Sequence, residues 1–170
     1  NDGTLLAGGS VKKFVVIWDV AKGSVVRALR GHASDIRAVA WSPDSTMLAS
    51  GSNDWTCRVW DVLRGVEVLC MEHSYWVSHV EWDDTGRRLA TASANVLRVW
   101  ELGNLVGSIE VPSVYGHVSP SNLESVSWSA DGRHIAVAHD DYIKIFEAFK
   151  SSAGTFGAQV RALDGHVGSV

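Results

Sequence analysis

One phrase, about forty residues long, recurs along this chain. It opens near a Gly-His pair and closes on Trp-Asp or a near relative. The closing pairs are Trp18-Asp19, Trp60-Asp61, Trp100-Glu101 and Phe146-Glu147, which return after 42, 40 and 46 residues. The histidines His32, His73, His117 and His166 keep the same beat, at intervals of 41, 44 and 49. Self-similarity at this period means a set of like units that stack on one another, and it directs the search for function towards a binding surface.

Within a unit the strands are readable from residue type. Ile36 to Trp41 is apolar with a β-branched and aromatic content, and Ser42-Pro43-Asp44-Ser45 turns the chain, with Pro presetting one backbone angle. Met47 to Ser50 and Thr56 to Trp60 follow, joined by Gly51-Ser52-Asn53-Asp54, and Val66 to Met71 is the fourth strand. The next unit repeats the plan as Val77 to Trp82, Leu89 to Ala92, Leu97 to Trp100 and Leu105 to Val111. The third reads Leu123 to Trp128, Ile135 to Ala138, Tyr142 to Phe146 and Ala158 to Leu163. Strands apolar on both faces belong to sheets sandwiched between neighbours.

A four-stranded unit of this period is the blade of a β-propeller, and the wording resembles the WD-repeat family over essentially the whole chain. The expected class is all-β, with antiparallel blades at approximately 31–71, 72–111 and 112–163, an incomplete unit at 1–30, and the start of another at 164–170. Leu5-Leu6-Ala7 matches Leu48-Ala49, and Phe14 to Trp18 matches Thr56 to Trp60. Propellers protect their edge strands by closing a ring, so the expectation is an open arc cut from a larger, seven-bladed ring.

Net charge is −4, too mild to attract nucleic acid or an anionic membrane by itself. The longest strongly apolar stretch, Phe14 to Trp18, is far too short to span a bilayer as a helix. Neither nucleic-acid binding nor membrane insertion is expected, and cytoplasmic residence is the default assignment.

Seven histidines and two cysteines invite a chemical reading. If Thr56 to Asp61 pairs with Val66 to Met71 as a plain hairpin, Cys57 falls opposite Cys70, and a cross-strand disulfide is conceivable. Reduced structural thiols are the better expectation, because small apolar side chains suit buried strands. A histidine that returns once per unit serves the unit. In the family that the chain resembles, this His joins a buried network with a Ser/Thr on the second strand, an Asp in the next turn and the Trp closing the third strand. The resemblance assigns these roles to His32, Ser50, Asp54 and Trp60. The second unit has His73, Thr91 and Trp100 but a shorter turn, Ser93-Ala94-Asn95, without Asp. The third keeps His117 and Asp140, with Val137 and Phe146 in the other two places, and the first has Gly8 and Lys12.

The carboxylates Asp83, Asp84 and Asp131 fall in turns, where Asp bonds its own backbone, so solvated turns explain them without acid–base chemistry. Gly8 to Lys12 lacks the spacing of a phosphate loop. No constellation calls for catalysis, and no cofactor or metal is expected.

Six of the eight tryptophans close first or third strands. Only Trp55 and Trp76 stand outside those phases, in the two kinds of loop that share the top rim of a propeller. Exposed Trp is a common interface anchor because it buries a large area with few rotors to freeze. Asp35, Arg37, Asn53, Ser78, Asn122 and Glu124 occupy equivalent rim positions, with Tyr75 beside them. On the opposite face, the loop Ala148 to Gly157 carries Phe149, Lys150 and Phe156 and is either a second docking surface or a flexible Ser/Gly insertion. The expected function is a non-catalytic scaffold that binds a protein or peptide on the top rim, within a multi-protein complex. The alternative is a reader in which Trp55, Trp76 and Tyr75 cage a modified basic side chain. A propeller enzyme is the third class, supported only by the ability of the fold to host one.

Overall fold

The computed structural model describes residues 3–101, 103–111, 123–139, 142–149 and 156–164. Fifteen strands form four antiparallel sheets among these residues. The first sheet contains β1 (Leu5–Gly9), β2 (Phe14–Asp19) and β3 (Ser24–Arg30). The second contains β4 (Ile36–Trp41), β5 (Met47–Ser52), β6 (Thr56–Asp61) and β7 (Val66–Glu72). The third runs β8 (Val77–Trp82), β9 (Arg88–Ser93), β10 (Val96–Glu101) and β11 (Asn104–Glu110). The fourth runs β12 (Ser125–Trp128), β13 (His134–His139), β14 (Tyr142–Glu147) and β15 (Gln159–Asp164). Strands pair in chain order within every sheet, so each is a meander of hairpins. No helix among the described residues is long and apolar enough to cross a membrane.

The core lies between sheets. Val15, Ile17 and Leu29 of the first sheet pack on Leu48, Trp60 and Val62 of the second. Ala49, Cys57, Val59 and Met71, from the other face of that second sheet, pack on Val77, Val80, Leu89 and Trp100 of the third. A third cluster joins Leu97, Val99 and Ile109 to Val126, Ile135 and Phe146. Period-two alternation therefore sends neighbouring residues such as Leu48 and Ala49 into two different cores. First-strand tryptophans also stitch sheet to sheet. Trp82 Nε1 donates to the Ala40 carbonyl at 3.2 Å, and Trp128 Nε1 donates to the Glu81 carbonyl at 3.2 Å.

Every pairing of third and fourth strands carries a register shift just before the closing aromatic, at Ile17/Trp18, Val59/Trp60, Val99/Trp100 and Ile145/Phe146. The extra residue on the fourth strand is valine each time: Val26, Val68, Val106 and Val160. This bulge overturns the cysteine pairing expected from a plain hairpin. Cys57 pairs with Met71 and Cys70 with Arg58, so the two cysteines point to opposite faces. Cys57 is buried, Cys70 is exposed, and both are free thiols.

Two further expectations change. Asp83 is not a solvated turn residue: it is wholly buried, accepts from the Arg87 and Arg88 N–H groups at 3.0 Å, and pairs with Arg88 Nε at 3.2 Å. Its turn reverses the roles seen elsewhere. Ser42 donates to Asp44 and Ser129 to Asp131, both at 2.6 Å, whereas Thr85 donates back to Asp83 at 2.8 Å. The bottom-loop residue Phe156 is not a free tip either, because it packs partly buried against the cluster between the third and fourth sheets. A Cβ at Gly107 would collide with its ring, so the glycine makes room for it. Phe149 is 45% exposed and lies under the Arg88 guanidinium at 4.3 Å. Lys150 lies outside the described residues.

Candidate partner-binding rim

The connection between the second and third strands of a sheet demands a left-handed residue. Lys13 (φ 68°), Trp55 (φ 67°) and Ala94 (φ 51°) supply it in three successive units. The conformation thus belongs to the turn, and Trp is an expensive choice for it, since bulky side chains rarely tolerate positive φ. Trp55 is held there by its own carbonyl, which accepts from the His73 N–H at 2.9 Å, and its side chain remains 51% exposed.

A second device redirects one side chain in each of two blades. The first strands of the second and third sheets each bulge near their start, at Arg37 and at Ser78. Bulges re-aim the extra residue. Arg37 is exposed, donates from Nε to Asn53 Oδ1 at 2.7 Å and places its guanidinium 6.0 Å from the Trp76 ring. Trp76 is half-buried and meets Tyr75 with ring centroids 3.9 Å apart. Arg37, Asn53, Tyr75 and Trp76 therefore form one patch, and the Asn53 N–H ties it down by donating to the Asp35 carbonyl at 2.9 Å.

Other residues expected on the rim are placed differently. The Ser78 hydroxyl turns inward to the Ala92 and Leu123 carbonyls, at 3.3 and 3.4 Å. Glu124 has a buried carboxylate oxygen without a hydrogen-bond partner among the described residues. Trp55 makes no ring contact with Tyr75 or Trp76. Asn122, His117 and Asp140 lie outside the described residues.

Beneath the rim of the second sheet, Trp60 Nε1 donates to Ser50 Oγ at 2.8 Å, and Ser50 Oγ meets His32 Nε2 at 2.8 Å. The Asp54 carboxylate can only accept, so His32 Nδ1–H donates to Asp54 Oδ2, 2.8 Å away, and in the neutral imidazole Nε2 is left to accept the Ser50 proton. Burial lowers the His32 pKa, against the pull of Asp54. Burial also pushes the Asp54 pKa up, but the Thr56 hydroxyl, the Ala33 N–H and His32 together outweigh it and hold that carboxyl at about 2. The third sheet has the same start, with Trp100 Nε1 to Thr91 Oγ1 at 2.9 Å and Thr91 Oγ1 to His73 Nε2 at 2.8 Å. Lacking the Asp, His73 Nδ1 turns to the Met71 carbonyl at 3.2 Å. Burial, helped by the nearby Arg98 charge, lowers the His73 pKa to about 4. In the fourth sheet, where Val137 and Phe146 replace hydroxyl and indole, His139 stacks on Tyr142 and shares a 3.0 Å hydrogen bond with its hydroxyl.

The Arg37–Trp76 contact is not legible in the sequence, because the bulge that turns Arg37 outward has no residue-type signature. Nor is a cavity of about 240 Å³ at the edge of the third sheet, between Ser74-Tyr75, the turn Ser93 to Val96 and Arg98. The short turn Ser93-Ala94-Asn95 was its visible sign.

Comparison with known proteins agrees with this architecture. The family described as "WD domain, G-beta repeat" matches residues 23–61, 66–101 and 109–147. The chain is 39% identical over 154 residues to WD repeat-containing protein SL1-17 of Schistosoma mansoni, covering 86% of this chain and 48% of that protein. It is 30% identical over 130 residues to Anaphase-promoting complex subunit cdc20 of Dictyostelium discoideum, covering 75% and 26%. It is 34% identical over 125 residues to one of the subunits of Chromatin assembly factor 1 of Gallus gallus, covering 72% and 21%. The chain spans less than half the length of each of these curated relatives. Repeat, sheet topology and family match converge: the chain belongs to the WD40 repeat family, and its sheets are propeller blades.

Proposed function

We propose that these blades form part of a non-catalytic scaffold whose top rim binds a protein or peptide segment within a larger assembly. The observation that carries this reading is the pairing of an exposed Trp55, kept in a left-handed turn, with the patch in which Arg37 of the same blade meets Trp76 and Tyr75 at the start of the next. Such a mixture of aromatic and charged groups suits a protein interface. Two relatives carry names that make them subunits of an assembly, the Anaphase-promoting complex and Chromatin assembly factor 1, which supports the same role here.

The aromatic-cage alternative loses ground. Tyr75 and Trp76 turn ring faces towards each other, Arg37 already lies over Trp76, and Trp55 does not join them. A cage needs separate rings converging on one cation within about 6 Å.

The test is crosslinking capture of partners by the full-length protein, wild type against a Trp55→Gly, Trp76→Ala double variant whose fold is checked by circular dichroism. Glycine keeps the left-handed turn relaxed while removing the ring. Losing an interface anchor costs about 2 kcal/mol, roughly thirtyfold in affinity, so specific partners should disappear. Unchanged capture by the folded variant would refute the rim as the working surface.

A further inference from the structure

The second and third blades differ in charge balance. In the second blade Asp54 accepts from the Ala33 N–H at 2.8 Å and from the Thr56 hydroxyl at 2.7 Å, and Arg58 is paired with Glu67. Strand register makes Val96 the counterpart of Thr56, Arg98 of Arg58 and Leu105 of Glu67. The third blade has therefore lost the turn carboxylate, the hydroxyl that steadied it and the carboxylate that neutralised the arginine. It has kept the donors. The Ser74 N–H, counterpart of Ala33, has no acceptor among the described residues, and Arg98 makes one hydrogen bond there, to the Glu72 carbonyl at 2.9 Å. Ser74, Val96 and Arg98, the counterparts of Ala33, Thr56 and Arg58, line the cavity of about 240 Å³ together with Asn95 of the shortened turn.

We infer that this cavity is a receptor for an acidic side chain, an Asp or Glu of the protein partner, which completes in trans the blade turn that Asp54 completes in cis. This rests on the top rim being the working surface and names one group of the ligand. Tyr75 lines the cavity and packs against Trp76, so the carboxylate site and the aromatic patch are continuous. A carboxylate is the group of the right size and charge because Asp54 fills the equivalent place one blade away. Arg98 would meet it through a charge-assisted hydrogen bond, stronger than a neutral one.

The site is tested without any partner, by titrating isotope-labelled full-length protein with acetate at constant ionic strength, with acetamide as the uncharged control and inorganic phosphate as a second arm. Acetate should displace the Ser74 amide and Arg98 side-chain resonances saturably, and acetamide should not. Arg98→Gln should weaken acetate binding by about tenfold or more. Ala94→Asp supplies a carboxylate from the turn itself, in a residue type that accepts the left-handed conformation, and should abolish acetate binding. No saturable displacement, or unchanged acetate affinity in either folded variant, would overturn the inference. Phosphate binding tenfold tighter than acetate would overturn the carboxylate assignment in favour of a phosphorylated partner. Because the titration uses no partner, its failure leaves the Trp55 and Trp76 capture result standing, and the reverse also holds.

Discussion

Asp83, wholly buried, holds the Arg88 guanidinium at 3.2 Å, and that same guanidinium reaches into the next blade. There it donates to the Gly132 carbonyl at 3.2 Å and lies over the rings of Trp128 and Phe149. The pair is thus a clasp between the third and fourth blades. Replacing Asp83 by Asn keeps the shape but leaves a nearly buried cation unpaired, which costs about 3 kcal/mol. Urea unfolding should show a lower midpoint for Asp83→Asn, and Asp84→Asn should serve as a near-neutral control.

Acid sensitivity should reside in the third blade. The His73 pKa falls from 6.5 to about 4 on folding, chiefly through burial. Between those values the unfolded chain holds the extra proton, so stability is full above about pH 6.5 and declines as pH drops towards 4. The complete shift corresponds to about 3 kcal/mol. The unfolding midpoint of the wild type should therefore drop as pH falls from 7.5 to 5, and His73→Gln should reduce that dependence, with the burial-lowered His32 and His79 carrying the remainder. Asp54, held at about 2, adds a loss only below the ordinary carboxylate range.

Ser45 occupies a left-handed position, φ 61°, where the next two blades have Gly86 (φ 68°) and Gly132 (φ 64°). Relieving that strain should outweigh the added freedom of the unfolded chain, so Ser45→Gly should stabilise the fold by about 0.5–1 kcal/mol. Thermal denaturation of the single variant checks the sign.

The two thiols should behave independently. Cys57 is inaccessible and burial drives its pKa well up, whereas Cys70 is exposed with a pKa raised more modestly by partial burial. Iodoacetamide should add one alkyl group to the native protein, on Cys70, and two after unfolding. Non-reducing mass spectrometry should find no Cys57–Cys70 link.

The expectations from sequence succeed and fail along one physical boundary. Repeat period, strand order, turn positions and the stacking of sheets were legible in the chain, because hydrophobic alternation and turn chemistry are written in neighbouring residues. Val26, Val68, Val106 and Val160 show how close the sequence came to more, since one valine per unit marks the bulge that separates Cys57 from Cys70. What only the tertiary structure decided depends on the neighbouring blade or on strand register. Asp83 is buried because Arg88 and the following blade close over it, and Phe156 packs inward because Gly107 leaves space across an interface. Arg37 reaches Trp76 because a bulge turns it outward, and Arg98 lacks a carboxylate because register sets Leu105 where Glu67 stands one blade earlier. Local pattern determines which strands form; burial, pairing and charge balance are properties of pairs distant in sequence, and they exist only once the blades have stacked.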